Sequence, residues 1–577
     1  MNEPILKTLT GGRWRSLTQR PWVTSYPNEI RPEQSIPAIP LTSYLKEAAV
    51  QYANRPALVY FGASMSYKEL LDSAYRFAYA LQRLGIEKGD RVALMLPNIP
   101  QYVICYYGTL LLGAIVVQTN PLYVERELIY HLNDSRADTI VCLDVLYSRI
   151  RSIREKVNLK RVIVTGIPDY LPTLKKWLYP VVQKRKGMKP PVIDLEKEGI
   201  FTLSRLLRQA EPRPVEPERI DPEEDVAVLQ YTGGTTGTAK GVMLTHRNLV
   251  ANVEQCRSWL YRMGPGQETV MAAVPLFHVY GMTVCMNFSV AVGGKLALIP
   301  RFEVDTLLQT IHKEKPTIFP GAPTMYIALN HHPKAAVKYQ LTSVRCCISG
   351  SAPLPAEVQQ QFEALSGGRL VEGYGLSECS PVTHANPIWE KRKTGSIGIP
   401  WPSTDCRIVD PETGEELAAG EVGEMEIRGP QVMKGYWNRP QETEAVLREG
   451  WLRTGDMASM DEEGYFYIVD RKKDMINAGG FKVFPREVEE VLFEHPSVLE
   501  AAVIGIPDEY RGESVKAYVV AKPGTTLTEE ELDVYCRSKL AAYKVPRKYE
   551  FRETLPKSMV GKVLRRLLHE EHSQAGK

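Results

Sequence analysis

Residues 92–124 contain no charged side chain. A stretch so apolar must leave water, and what it can leave into decides the fold. Pro97, Asn98, Pro100 and Pro121 bracket it, and its apolar run covers only residues 102–117. That is short of the roughly 20 residues a spanning helix needs. It reads as a buried helix feeding a buried strand. Both can be covered only if further helices and strands pack on either side.

The flanking sequence supplies those layers. Ser66-Tyr-Lys-Glu69 has the form of a capping box, and Leu70, Leu71, Ala74, Phe77, Ala78 and Leu81 fall on one helical face before Gly85. Strand patterns at 92–96, around Val116 and at 139–143 alternate with a helical pattern at 125–132. Alternation of this kind predicts a mostly parallel sheet with helices on both faces. It resumes from Asp225 to about Glu390. Between Gly395 and Tyr467 the texture changes to short alternating strands with glycine turns, which suggests a small β-barrel-like subdomain. After the charged run Asp470-Arg-Lys-Lys-Asp474, a separate α/β unit follows. It has helices at 485–493 and after Thr528, and strands at 501–506 and 515–520. Pro21, Pro27, Pro32, Pro37 and Pro40 dot the polar residues 1–40 and predict an extended arm over the surface.

Composition narrows the class. A chain of 577 residues exceeds one ordinary core, so several domains are expected. A net charge of only +3 argues against nucleic acid as a partner. Nine scattered cysteines lack metal-site or disulfide spacing and read as buried thiols in a reducing cytoplasm. The opening residues lack the basic-then-apolar pattern of a signal peptide. Residues 171–190 break the α/β pattern with six cations and no carboxylate, interleaved with Leu174, Trp177, Leu178 and Tyr179. A solvated basic surface loop is the plain expectation. The sharper one is an interfacial segment, peripheral on the inner face of the cell membrane.

Five stretches carry chemistry. Tyr231-Thr-Gly-Gly-Thr-Thr-Gly-Thr-Ala-Lys-Gly241 packs four Thr and four Gly around the single cation Lys240. It offers hydroxyls and approachable backbone N–H groups to a polyphosphate without matching a Walker A loop. Glu372-Gly-Tyr-Gly-Leu-Ser-Glu378 places an aromatic for a flat ring and a carboxylate for a hard cation. Asp456 beside Gly455 can accept from vicinal hydroxyls. His278 ends an apolar run, and Lys562 follows a glycine before an amphipathic helix. Each alone has a bland reading as a turn, a cap, a packing histidine or a surface lysine.

In this order the stretches resemble the adenylate-forming superfamily of acyl-CoA synthetases, luciferase and peptide-synthetase adenylation domains. The run from Gly450-Trp-Leu-Arg-Thr-Gly-Asp456 through Asp470-Arg-Lys-Lys-Asp-Met-Ile476, with Gly480-Phe-Lys-Val-Phe-Pro485, is similar to the signature of the long-chain fatty acyl-CoA synthetases. The resemblance implies an α/β fold. A large N-terminal AMP-binding domain (41–470) would hold two mostly parallel helix-flanked sheets and the β-rich subdomain (395–470), and a small mobile α+β domain (471–577) would follow. It implies ATP, Mg²⁺ and coenzyme A as cofactor and cosubstrates, a fatty acid as substrate, and an acyl-adenylate intermediate. Neither step needs a covalent nucleophile.

By the same resemblance Thr232, Gly233, Gly234, Thr235, Thr236, Gly237 and Lys240 form the phosphate loop. Gly350 and Gly373 line the pocket, Tyr374 stacks on adenine, and Ser377 bonds the α-phosphate. Glu378, with Thr232, holds the metal. Asp456, assisted by Arg471, takes the ribose hydroxyls. Lys562 bridges carboxylate and phosphate, and His278 stands at the acyl pocket. Lys473 is the hinge about which the small domain rotates, bringing Gly479 and Gly480 to the thioester step. An aryl-, short- or medium-chain acid ligase, and an inactive lipid-binding relative, stay open as alternatives, as does a homodimer.

Overall fold

The structure, a computed structural model, describes residues 20–185, 193, 198–215, 219–232, 239–479, 481–508, 511–558 and 561–575. The uncharged stretch folds as its composition requires. Helix Pro100–Leu111 is buried along its whole length, and strand Ile115–Gln118 is buried at every position. Helix Tyr67–Arg83 begins at the expected capping box, with Ser66 accepting from the Glu69 N–H and the Glu69 carboxylate accepting from Ser66. Its apolar face covers Pro100–Leu111.

Ile115–Gln118 lies inside an eight-stranded sheet. From one edge the order is Gly435–Tyr436, Lys240–Thr245, Val226–Thr232, Ile115–Gln118, Arg91–Met95, Thr139–Leu143, Arg161–Thr165 and Ile200–Thr202. Six strands run parallel, from Val226–Thr232 to Ile200–Thr202. Lys240–Thr245 and Gly435–Tyr436 add antiparallel at the edge. A second layer runs Ala63–Ser66, Pro56–Tyr60, Lys295–Leu298 and Thr269–Ala272. It continues through Ile318 to Cys346–Ser349, Arg369–Gly375, Val382–Ala385 and Ile399–Pro400.

The third sheet, Asp405–Val409, Gly423–Arg428, Trp451–Met460, Leu447–Arg448 and Phe466–Arg471, is antiparallel throughout. A small unit follows. Phe481–Val483, Ile476–Ala478, Gly512–Ala521, Val498–Asp508 and Lys548–Phe551 form its sheet, flanked by helices Pro485–Phe493, Glu529–Lys539 and Arg565–Ala575. Its buried Val488, Val503, Ala517 and Leu532 form a core separate from the large one. All nine cysteines are buried.

The described part of the leading segment is anchored rather than loose. Trp22 is 1% exposed and packs edge-on against Phe466. Arg20 pairs with the buried Asp405 at 2.6 Å. Burying one large apolar side chain contributes roughly 2–3 kcal/mol, enough to pin a segment with little regular structure of its own.

Residues 171–190 differ from the expected basic loop. Thr173–Arg185 is an α-helix, and residues 186–190 lie outside the described set. Leu174 (73%), Trp177 (79%), Leu178 (52%) and Val181 (52%) stand exposed on it. Lys175 ties the helix to the body by donating to the Phe61 carbonyl at 2.8 Å. Charge and aromatic content gave the loop expectation, and neither reports backbone conformation. Pro180 sits inside the helix. Among the described residues no helix is long and apolar enough to cross a membrane.

Candidate active site

The glycine–threonine loop sits where the parallel sheet turns antiparallel. Thr232 ends one strand and Lys240 begins the next, directly opposite each other. Gly233, Gly234, Thr235, Thr236 and Gly237 lie outside the described residues. Their two anchors are well defined. Tyr231 is buried, packs on the His131 ring at 4.2 Å, and donates its hydroxyl to Asp134 at 2.7 Å. On the other side the Tyr130 hydroxyl donates to the Ala239 carbonyl at 2.7 Å. Both tethers come from helix Glu125–Ser135.

The second motif approaches the same hairpin. Arg369–Gly375 carries Gly373 and Tyr374, and the turn Ser377–Cys379 presents Ser377 and Glu378 against both hairpin strands. Gly373 is there for space: a Cβ would come within 2.7 Å of the Ile348 side chain. Glu378 accepts from the Tyr436 hydroxyl at 2.8 Å, and burial holds its carboxyl above the ordinary value. A recessed carboxylate that accepts from one hydroxyl and makes no ion pair among the described residues suits a hard divalent ion. Such an ion takes one or two carboxylates and completes its shell with phosphate and water.

Tyr374 and Asp456 are coupled. The Tyr374 hydroxyl donates to Asp456 Oδ2, while Asp456 Oδ1 lies 3.4 Å from Arg471 Nε. Asp456 and Arg471 face each other across adjacent strands, so the pair is fixed by sheet register. The aromatic platform and the hydroxyl-accepting carboxylate are thereby one rigid unit.

Lys562 comes to this unit from the small domain. The loop before it closes on itself, with the Ser558 N–H donating to the Lys562 carbonyl at 2.8 Å. Gly561 has φ +80° and lies against Thr324, where a Cβ would meet the Thr324 hydroxyl at 2.7 Å. Burial, then the Arg471 guanidinium, push the Lys562 ammonium down to about 8, and Asp456 pulls the other way. His278 lies close enough for Lys562 to act on it. Burial and that cation hold the imidazole down to about 4, so it is neutral at physiological pH. Its Nδ1 accepts from the Tyr280 N–H at 3.3 Å. A π-helical turn, Gly281–Asn287, follows; such turns often mark functional sites. Gly350 completes this wall, its Cα side 3.4 Å from the Tyr280 ring if a Cβ were added.

The residues around Lys473 are held largely by the Arg565 guanidinium. Arg565 donates to both oxygens of Glu489 at 2.7 and 2.8 Å, and reaches Asp474 at 3.2 Å and Asp470 at 3.7 Å. Lys473 is half-buried beside Asp474 at 3.6 Å, its ammonium lowered chiefly by burial. Gly479 (φ +67°) turns a hairpin in the small unit and donates to the Arg511 carbonyl at 2.8 Å, so its partner belongs to that unit's own sheet. Gly480 lies outside the described residues.

Sequence reasoning missed several residues that shape the site. Tyr436, Glu442, Asp134, Tyr130 and Thr324 sit in ordinary helix and turn sequence, and only their long-range contacts mark them. Arg565, three residues beyond Lys562, was visible only as part of a basic helix.

Residues 45–437 match the family model described as AMP-binding enzyme, and residues 487–562 match its C-terminal domain model. The chain is 52% identical over 558 residues to a long-chain-fatty-acid–CoA ligase of Bacillus subtilis (strain 168), covering 96% of this chain and 99% of that protein. It is 42% identical to the ligase of the same name from Yersinia pestis, covering 97% and 99%. Among solved structures, ATP-bound MatB from Rhodopseudomonas palustris superposes with a TM-score of 0.82 at 30% identity, covering 93% of this chain and 100% of that one.

Proposed function

The chain belongs to the AMP-binding enzyme family and is an ATP-dependent, AMP-forming fatty acid–CoA ligase; from that premise we propose that its substrate is a long-chain fatty acid and that the site residues divide between two half-reactions. The observation that carries the assignment is Lys562, delivered from the small unit to within electrostatic reach of Asp456, Arg471 and His278. A cation placed there stabilises the charge that develops when a carboxylate attacks the α-phosphate.

In the first half-reaction the carboxylate oxygen bonds to the α-phosphorus, and pyrophosphate leaves with the electron pair of the broken P–O bond. Thr232, Lys240 and the loop between them hold the phosphates being expelled. Tyr374 carries the adenine, Asp456 with Arg471 the ribose, and Ser377 the α-phosphate. Glu378 and Thr232 would hold Mg²⁺, which supplies charge neutralisation on the phosphates when bound. His278 lines the acyl wall as the neutral imidazole. In the second half-reaction the thiol of coenzyme A bonds to the acyl carbon and AMP departs. Lys562 is not needed there. Rotation about Lys473 would withdraw it and bring Gly479 and Gly480 forward. The domain boundary falls at Asp470–Asp474, where the separate core of the small unit begins.

The helix Thr173–Arg185, with Leu174, Trp177 and Leu178 outward beside Lys175 and Lys176, supports a peripheral contact with an anionic membrane, where amphiphilic substrate partitions.

Fatty-acid-dependent ATP–pyrophosphate exchange, measured across chain lengths with and without coenzyme A, tests the assignment. Exchange without coenzyme A that peaks with long chains is the expected result. A peak with aryl or short acids would transfer the chain to those ligases, and no exchange with any acid would leave a lipid-binding relative.

A further inference from the structure

Lys240 is already engaged before any nucleotide is considered. Its ammonium pairs with Glu442 Oε2 and lies 5.1 Å from the centre of the Tyr436 ring. Glu442 begins no motif. It sits in the short helix Pro440–Val446 of a segment that the sheet edge clamps to the hairpin. Gly435 and Tyr436 pair with Met243 and Val242, and the Trp437 N–H donates to the Gly241 carbonyl at 2.7 Å. Arg439, in the same segment, reaches Asp134 at 3.1 Å and the Tyr130 hydroxyl at 3.4 Å, the two groups that tether the ends of the phosphate loop. It also lies 3.6 Å from Glu442 Oε1.

Segment 435–442 therefore touches each working part of the phosphate site. Its Tyr436 hydroxyl orients Glu378, its Arg439 braces both loop tethers, and its Glu442 holds the loop's cation. We propose that Glu442 is a positioning residue that occupies Lys240 in place of the ATP phosphates. It is an internal carboxylate that the entering polyphosphate must displace and that recaptures the lysine as pyrophosphate leaves. This rests on the reading of Lys240 as a phosphate ligand.

Three features suit such an exchange. Glu442 is 41% exposed, so the pair is screened and easily opened. Arg439 stands ready to keep the displaced carboxylate compensated. The Tyr436 ring meets Lys240 without a formal charge, so it can stay with the ammonium in both states. The polyphosphate carries more charge than one carboxylate and wins when present. The carboxylate wins when the departing product is dilute. Binding of AMP, which has no β- or γ-phosphate, does not enter the competition.

Calorimetric titration of ATP and, separately, AMP into the full chain with Mg²⁺ and no fatty acid tests the proposal. Glu442→Gln is expected to tighten ATP about threefold, since a rival for Lys240 is gone, and to leave AMP unchanged. Lys240→Met should weaken ATP tenfold or more with AMP unchanged, and the double variant should match Lys240→Met alone. Glu442→Gln that leaves ATP unchanged or weaker, while Lys240→Met still loses ATP, overturns the proposal. So does a parallel shift in AMP, which would mean that Glu442 acts through the fold. Lys240→Met binding ATP like the parent chain would instead remove the premise about the loop.

Discussion

The two halves of the active site are held in different ways. The phosphate hairpin is fused to the large unit. Its strands are the second and third from one edge of an eight-stranded sheet, its Tyr231 is buried, and both its ends are tethered to helix Glu125–Ser135. Lys562 is carried on a separately cored unit, and its loop meets the large unit at Thr324. That unit is joined through the Arg565–Asp470–Asp474 charges and through Arg486, which donates to the Ile468 carbonyl at 2.8 Å. Glu372 marks the same seam. Its carboxyl is pushed up to about 7 by burial, and the small unit's Arg486 is the charge that pulls it back. The hairpin is built like a core, while the seam that carries Lys562 is polar, like a transient interface. Polar contacts of this sort exchange for water at little net cost.

The sharpest way to break the comparison is Lys562→Ala. Adenylation should fall by about a thousandfold, as when a transition-state electrostatic contact is lost, while thioester formation from supplied acyl-adenylate stays within about tenfold of the parent. Equal loss in both half-reactions, measured separately, would make the lysine part of the fixed cradle. Lys473→Pro should lower overall turnover about thirtyfold, because domain motion gates the cycle. Fatty-acid-dependent pyrophosphate exchange would survive; loss of exchange instead would place the hinge elsewhere.

A pH profile sharpens the comparison further. The Lys562 ammonium is lowered to about 8 in the docked pose. Docking it therefore releases a proton and becomes easier as pH rises toward the ordinary lysine value. The charge needed for adenylation disappears over the same range. The kcat/KM for ATP should thus fall about tenfold per pH unit above 8, and Lys562→Arg should flatten that limb, since a guanidinium stays charged. A limb unchanged in Lys562→Arg would belong to another group. The smallest effect lies outside both regions. Lys175→Glu with Lys176→Glu should weaken sedimentation with anionic vesicles about fivefold per charge, and an unchanged pellet would leave the helix a solvated surface feature.

Much of the fold was legible because local rules set it. The capping boxes at Ser66 and Thr528 and the buried helix of the uncharged stretch are each specified within one element. Tyr374, Glu378 and Asp456 drew attention for the same reason, each standing in a short glycine-rich stretch. What differed was the basic segment, expected as a surface loop and found as a helix with Pro180 inside it. What escaped notice were residues outside any motif that act by reaching across the chain. Tyr436 meets Glu378 over a separation of 58 residues, and Arg439 meets Asp134 over 305.

By itself the sequence determined that the chain buries an α/β core in several layers, and it set out in order a glycine–threonine run, a Gly-Tyr-Gly turn, a carboxylate and a late lysine. Periodicity, turn chemistry and residue type are local, and they survive in one dimension. Only the tertiary structure decided that Asp456 and Tyr374 act as one unit, that Lys562 is desolvated among Arg471, Asp456 and His278, and that Glu442 already holds Lys240. Those facts depend on sheet register, on burial and on the meeting of two units. Charge and distance act through space, so no stretch of sequence carries them alone.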